Sequence, residues 1–324
     1  MSTPEPGFLR LFKNGALQQK ALQLTALLSA CRLCPRQCGI DRTRGETGVC
    51  GAPAGLRVAR ATAHPGEEPV ISGTRGAGTI FFSHCSLSCC FCQNYQISQE
   101  GLGAQVSAAE LARMMLSLQQ QGCHNISLVS AAHFLPGILD ALVLAAGQGL
   151  QLPIVYNSNG YERPEVLQLL EGVIDVYLPD AKYAGEAAAE KYSAVRDYAR
   201  VNMAALQEMF RQTGPLVLDD AHIARSGLII RHLVLPGLLR DTRRLLHRIK
   251  NSFGPFVPVS LMGQYTPCYR AGEHPELRTR LSPADYRGAI DLLENLGFEN
   301  GWFQDCTCLD HRLVPDFSKP DSWN

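Results

Sequence analysis

The sequence predicts an α/β fold, with parallel strands joined by crossover helices and a small cysteine-rich module ahead of them. Three observations carry this. From residue 78 onward, short apolar runs alternate with stretches of helical period, the pattern of successive βα units. Polar and glycine-containing residues gather just after each run, in HCSLSCC, AAHF, SNGY, PDAKY, PGLL and MGQY. In parallel α/β proteins those C-terminal strand ends build the site. The opening segment, by contrast, holds four cysteines within twenty residues of one another and little that could form a core.

Taken in order, residues 1–50 read as an amphipathic helical stretch (LRLFKNGALQQKALQLTALLSA) followed by the cysteine knot. Residues 51–77 are rich in Gly, Pro and Ala, which suits a connector laid over a surface. Residues 78–300 form the expected core. Its strands are read at 79–83 (TIFFS), 126–130 (ISLVS), 153–157 (PIVYN), 174–178 (IDVYL), 228–235 (LIIRHLVL) and 257–261 (VPVSL). Helical stretches lie between them: AAELARMMLSLQQQG, GILDALVLAAGQ, EVLQLLEG, NMAALQEMFRQTG and RRLLHRIKN. About six βα units fit, too few for a closed eight-strand barrel. Residues 301–324 read as a C-terminal tail.

The chain has 324 residues, 46% of them hydrophobic, which is ample for one large core. Thirty basic and thirty acidic residues leave a formal net charge of zero, so the simplest electrostatic case for nucleic acid is missing. Arg240, Arg243, Arg244, His247, Arg248 and Lys250 cluster at helical spacing and read as a solvated face. The N-terminus shows no signal-peptide pattern and no apolar run reaches membrane-spanning length, so a soluble, cytoplasmic protein is expected. In a reducing compartment twelve cysteines are expected to bind metal or do chemistry rather than form disulfides.

Two constellations stand out. The first is Cys85-x3-Cys89-x2-Cys92, directly after the first core strand, with Cys90 fitting neither interval. Three thiolates on one tight loop can hold three corners of a 4Fe–4S cluster and leave the fourth iron open to a non-protein ligand. Zinc would want a fourth donor, and Cys90 and His84 are poorly spaced for it. The second is Cys31-x2-Cys34-x3-Cys38-x11-Cys50, four thiolates that can close a site completely, around zinc or an auxiliary cluster.

The cysteine spacing in this α/β context resembles the radical S-adenosylmethionine superfamily. Within it, the chain is similar to pyruvate formate-lyase activating enzyme-like iron–sulfur proteins. The phrases CRLCPRQCGIDR, GETGVCG, HPGEEPVISG, CQNYQIS, IDVYLPDAKY, IIRHLVLPG and VSLMGQYTP carry the likeness across residues 31–267. The resemblance implies a partial (β/α)6 TIM-like barrel with the cysteine-rich module at its N-terminus. It also implies a 4Fe–4S cluster on Cys85, Cys89 and Cys92, with S-adenosylmethionine chelating the open iron. One electron would then cleave the cofactor to methionine and a 5′-deoxyadenosyl radical, which abstracts hydrogen. Phe91 would lie beside the adenine. Ser130, Asn157, Ser158, Asn159, Asp180 and Lys182 would meet the cofactor, with Arg231 or His232 and the Met262, Gln264, Tyr265 segment toward the substrate.

The implied partners are an electron donor such as flavodoxin or ferredoxin and a substrate. The substrate could be a glycyl radical enzyme, another protein or a small molecule. One departure from the superfamily pattern is that no Gly-Gly-Glu-like segment follows the second core strand. Residues 127–134 read SLVSAAHF there, with Ser130 or backbone carbonyls to substitute. The HPGEEP stretch precedes the cysteine loop and reads as a turn, with folding over the site as the sharper alternative. Cys123, Cys268, Cys306 and Cys308 read as packing, the last three alternatively as a radical-relay thiol or an extra ligand. His84, His124, His133 and His232 read as ordinary hydrogen-bonded residues. The competing class is a non-enzymatic iron–sulfur electron-transfer or metal-binding module.

Overall fold

A computed structural model of the chain describes residues 5–304 and 315–319, so Cys306 and Cys308 lie outside the described residues. Helices α1 (Gly7–Lys13) and α2 (Ala16–Ala26) precede the cysteine knot. Strand β1 (Leu56–His64) and the single turn α3 (Pro69–Ser72) follow it. The core then runs β2 (Ala77–Phe82), α4 (Tyr95–Ser98), β3 (Ala104–Val106), α5 (Ala108–Gln120), β4 (Ile126–Val129), α6 (Leu135–Gly147) and β5 (Ile154–Ser158). It continues α7 (Pro164–Leu169), β6 (Val176–Pro179), α8 (Glu186–Ser193), α9 (Tyr198–Thr213), β7 (Val217–Leu218), β8 (Ala224–Leu228) and β9 (Ile230–Leu233). It closes with α10 (Leu239–Phe253), β10 (Val259–Met262), α11 (Pro283–Asn295) and β11 (Gly301–Phe303).

Eight strands form one sheet in the order β3-β1-β2-β4-β5-β6-β8-β7, and three form a second in the order β11-β10-β9. Pairing is parallel from β2 through β4, β5 and β6 to β8, and again among β9, β10 and β11. A parallel bridge between Asp180 and Arg231 joins the two sheets. The result is the mostly parallel α/β architecture expected. Among the described residues no ladder connects β11 back to β1 or β2. All the parallel strands therefore deliver their C-terminal ends to one edge.

The structure corrects three boundaries. Residues 51–77 are not a surface connector: β1 pairs antiparallel with β2 along six positions, and α3 is buried. The flanking Gly and Pro residues masked the strand signal in LRVARATAH. The expected strand at 228–235 breaks at Ile229, where β8 stays in the first sheet while β9 joins the second. Residues 301–303, read as the start of a tail, form β11 beside β10.

Period-two alternation fixes what the concave face of the sheet carries. Its lower layer is apolar: Val155, Val176, Leu178 and Ile229 pack with Val70, Ile71 and Ala77. Helix α3 thus fills the floor beneath the sheet's concave side. Asn125 Nδ2 donates to Ile71 O at 2.8 Å and anchors it there. One step further along the same strands come Asn157, Asp180 and Arg231, so the polar layer begins where the apolar filling ends. Outside, α5 and α6 pack together and α2 packs on α6. A capping box starts α5: Ser107 Oγ accepts from Glu110 N, and Ser107 N donates to the Glu110 carboxylate.

Helix α9 ties two strand-end turns together. Tyr198 donates its hydroxyl toward Asn159 O and Asp180 O at 2.8 and 3.0 Å. Asn202 Nδ2 donates to Gly160 O and Asp180 O, both at 2.9 Å. Gly160 has φ +72°, and a Cβ there would lie 2.0 Å from Asp180 O and 2.3 Å from Asn202 Nδ2. Both the backbone conformation and the space demand glycine. Gly160→Ala is therefore expected to lower stability by about 2–4 kcal/mol, read as a reduced urea midpoint at unchanged slope.

Candidate active site

A cavity of about 410 Å³ opens at the C-terminal edge of the strands. Cys85, Cys89 and Cys92 line it together with Phe91, Ser130, Asn157, Ser158, Asn159, Asp180, Lys182, Arg231, Met262 and Gln264. Sequence and structure thus agree on which strand ends converge. His232 and Tyr265 do not line it. His232 is buried, its ring nitrogens 2.7 Å from Ala181 O and 2.9 Å from the Thr242 hydroxyl, and Tyr265 donates to Leu277 O. Cys90 and Cys268 also lie outside it. Cys90 N donates to Tyr192 O and Cys268 Sγ donates to Phe91 O, so both brace the loop from behind.

The 85–92 loop is held by its neighbours. Ser88 N donates to Ser193 O, Arg36 Nε to Ser86 O, Gln99 Nε2 to Leu87 O, and Arg270 N to Cys90 O. Each cavity-lining sulfur has a polar companion. Asn159 Nδ2 donates to Cys85 Sγ at 3.2 Å. Ser193 Oγ lies 2.9 Å from Cys89 Sγ and in turn 2.7 Å from the Tyr183 hydroxyl. Ser98 Oγ lies 3.1 Å from Cys92 Sγ. Burial pushes the Cys85 thiol up to about 11 and the Cys92 thiol up to about 12, and it raises Cys89 as well. Without metal the three are protonated at neutral pH, and binding metal must release those protons.

Beyond the sulfurs runs a half-buried ion network. Lys182 Nζ meets Asp180 at 2.6 Å, and Asp180 meets Arg231 Nε at 3.1 Å. Arg231 continues to Glu67 at 3.1 Å and to Asn157 Oδ1 at 2.8 Å, while Asn157 Nδ2 donates back to Glu67 at 3.2 Å. Burial alone would raise Asp180, but Lys182 and Arg231 outweigh it and hold the carboxyl below its usual range. Burial likewise works against the Lys182 ammonium, and the Asp180 carboxylate outweighs it and holds the ammonium above its usual range. Glu67 and Glu68 go the other way, raised by burial against the pull of Arg231.

Several lining residues escaped the sequence reading. Glu67 and Glu68 belong to the HPGEEP stretch, which folds into the cavity rather than forming a plain turn. The signal was present in two adjacent acids before a buried helical turn, but it stood upstream of the cysteine loop. His64, Trp302, Phe303 and Gln304 also line the cavity, from elements read as connector and tail. His133, near the site in sequence, is buried and stays neutral, with Nε2 2.7 Å from Ser83 O.

The N-terminal cysteines gather in one module over this loop. Gly39 N donates to Cys31 O, Cys31 N to Ile40 O, and Val49 N to Cys38 Sγ at 3.5 Å. Arg42, 1% exposed, reaches Cys31 Sγ at 3.9 Å, His133 O at 2.8 Å and Pro53 O. Burial pushes Cys34 up to about 12 and raises Cys50. Among the described residues no three His, Cys, Asp or Glu side chains converge on a point suited to a single metal ion. A cluster makes no such demand, because each thiolate takes its own iron corner. The donor set at Cys85, Cys89 and Cys92 fits that arrangement: three soft ligands, separately held, facing open space.

Comparison with known proteins bears on this geometry. Residues 79–211, from within β2 through most of α9, match the family model of the Radical SAM superfamily. The cofactors of that superfamily are a 4Fe–4S cluster and S-adenosylmethionine. An uncharacterized protein of Methanocaldococcus jannaschii is 28% identical over 299 residues, covering 90% of this chain and 82% of that protein. Streptococcus suis SuiB bound to S-adenosylmethionine superposes with a TM-score of 0.49 at 13% identity, covering 68% of this chain and 48% of that one. The enzyme anSMEcpe with bound AdoMet gives 0.45 at 16% identity, covering 70% and 58%. The chain spans about half the length of these solved structures. Among the described residues no helix is long and apolar enough to cross a membrane.

Arg231 is the only cation that touches both Glu67 and Asp180 among the described ion pairs. Arg231→Met leaves those buried carboxylates without it, and a loss of about 3–5 kcal/mol in chemical denaturation is expected. Adding Glu67→Gln to that variant should recover part of the loss.

Proposed function

We propose that this chain, whose residues 79–211 match the Radical SAM superfamily, is an enzyme that reductively cleaves S-adenosylmethionine and uses the product to abstract hydrogen. The observation that carries the proposal is that Cys85, Cys89 and Cys92 share one cavity with the polar strand ends Asn159, Asp180 and Lys182. With a 4Fe–4S cluster and S-adenosylmethionine bound, the chemistry supplied is one-electron cleavage to methionine and a 5′-deoxyadenosyl radical.

The chain's own residues divide the remaining work. Cys85, Cys89 and Cys92 hold the cluster. Asn159, Ser193 and Ser98 set the orientation and electron density of the three sulfurs through their hydrogen bonds. Phe91, Ser130, Asn157, Asn159, Asp180, Lys182, Arg231 and Gln264 bind the cofactor. Leu87, Ile97, Met262 and Trp302 supply apolar wall that keeps water from a reactive species. Cys31, Cys34, Cys38 and Cys50 would hold a second metal: an auxiliary cluster, which needs no single point of convergence, or zinc once the four sulfurs close in. Their module touches the 85–92 loop through Arg36, whose guanidinium also sits 5.9 Å over the Tyr161 ring. The likeness to pyruvate formate-lyase activating enzymes extends this reading to a glycyl residue of a partner enzyme as hydrogen donor.

The deciding assay is anaerobic. Protein reconstituted with iron and sulfide, reduced and given S-adenosylmethionine should yield 5′-deoxyadenosine by mass spectrometry. Cys89→Ala and Cys85→Ala should yield none. A fully loaded, reducible wild-type protein that makes no product would leave the electron-transfer reading instead.

A second expectation concerns the sulfur companions. A hydrogen bond to a cluster sulfur stabilises the extra negative charge of the reduced state, so its loss makes reduction harder. Ser193→Ala should shift the midpoint potential by about 20–60 mV to the negative, taking roughly 0.5–1.5 kcal/mol per bond and one electron. A redox titration followed by electron paramagnetic resonance reads it directly.

A further inference from the structure

The four-cysteine module contains a buried cation with no carboxylate beside it. Arg42 is 1% exposed, and a guanidinium stays charged inside proteins. Its Nη1 donates to His133 O at 2.8 Å and its Nη2 to Pro53 O, while Nε is buried with no hydrogen-bond partner among the described residues. The acids of its own segment are turned elsewhere. Asp41 pairs with Arg44 and accepts from Thr43 N, and the Glu46 carboxylate accepts from Asp41 N. A guanidinium held by carbonyl oxygens alone has lost its water without gaining an opposite charge, the costly half of an ion pair.

The group at hand that can supply that charge is sulfur. Arg42 Nη1 lies 3.9 Å from Cys31 Sγ. Cys34 lies within the field of Cys31 and Cys50, and Cys50 within that of Cys31 and Cys38. The other three sulfurs are furnished with backbone donors instead. Val49 N donates to Cys38 Sγ at 3.5 Å, and the N–H groups of Arg36 and Ala52 favour the anionic forms of Cys34 and Cys50. Glycine permits this close approach at Cys38: a Cβ on Gly48 would lie 2.7 Å from its Sγ. Such donors do little for a neutral thiol and much for a thiolate, the form that binds metal. Four thiolates outweigh a zinc ion, or the core of an oxidised 4Fe–4S cluster, by two charges. One cation in contact removes half of that excess.

We infer that Arg42 is the counter-charge of the four-cysteine site, a positioning residue that holds its tetrathiolate form together and ties metal loading to the folding of the module. The inference rests on the reading of Cys31, Cys34, Cys38 and Cys50 as metal ligands and is independent of the chemistry at Cys85, Cys89 and Cys92. With metal bound, Arg42 pins the module to the turn between β4 and α6 through His133 O. Without metal, the same group is an unmatched charge at that seam.

The test uses the full-length chain carrying Cys85→Ser, Cys89→Ser and Cys92→Ser, so that zinc, the probe, loads at the N-terminal site. In competition with a chelator, Arg42→Met should weaken zinc binding by about 10–100-fold. Arg42→Lys, which keeps the charge and loses the fork, should recover most of that loss. With the cluster loop intact and the protein reconstituted with iron and sulfide, Arg42→Met should retain less iron under the same chelator. Urea midpoints separate charge from bracing. The metal-loaded Met variant should fall well below its parent, while the metal-free one should lie close to it, since the unmatched charge leaves together with its hydrogen bonds. Unchanged zinc affinity in Arg42→Met, or equal losses of midpoint with and without metal, would overturn the inference and leave Arg42 a structural brace. A Lys variant as weak as the Met variant would do the same. A parent chain that takes up neither zinc nor extra iron would retire the metal reading of the four cysteines and this inference with it, whatever the cluster loop does with S-adenosylmethionine.

Discussion

The guanidinium of Arg231 is largely withdrawn from water at the seam between two sheets, where Asp180 and Arg231 form the bridge that connects them. Removing a guanidinium from water is costly, and only close, well-oriented acceptors offset it. Arg231 has three: Asp180 from the end of β6, Glu67 from the segment before α3, and Asn157 from β5. Its planar fork suits that convergence in a way a lysine could not. One side chain therefore fixes the relative placement of both sheets and the floor segment. Glu67, Asn157 and Asp180 all face the cavity because Arg231 draws them inward.

A different economy governs the cysteine loop. Its backbone is held from several sides, by α8, by the residues after β10 and by the N-terminal module, while its three outward sulfurs each keep one polar neighbour. Rigid support behind the ligands and a single hydrogen bond to each suits a site that must keep its geometry while its charge changes. His84, with φ +70°, takes the strained turn that starts the loop, and its backbone N–H donates to Ile97 O at 2.7 Å. The two constellations read separately in the sequence are thus neighbours, with Arg36 of the first bonded to Ser86 of the second.

Much of this was legible in the sequence, and the failures have physical causes. The parallel strands announced themselves as short apolar runs, because strands covered on both faces have no polar alternation to hide in. The cysteines at 85, 89 and 92 were legible because their spacing is local. The strand ends at Asn157, Asp180 and Arg231 followed from the βα order. Glu67 and Glu68 were not, since only tertiary packing brings a segment upstream of the first core strand beneath it. Strand β1 was obscured by its Gly and Pro flanks, and β11 by standing alone after the last helix. The break at Ile229 is a property of two sheets diverging, which no single run of Leu and Ile encodes.

Helix α3 also sets how the charged groups above it attract one another. Val70 and Ile71 pack against Val155, Val176 and Ile229, so apolar side chains fill the space beneath Asn157, Asp180 and Arg231. On that side the attraction among the charged groups acts through a medium of low polarity rather than through water.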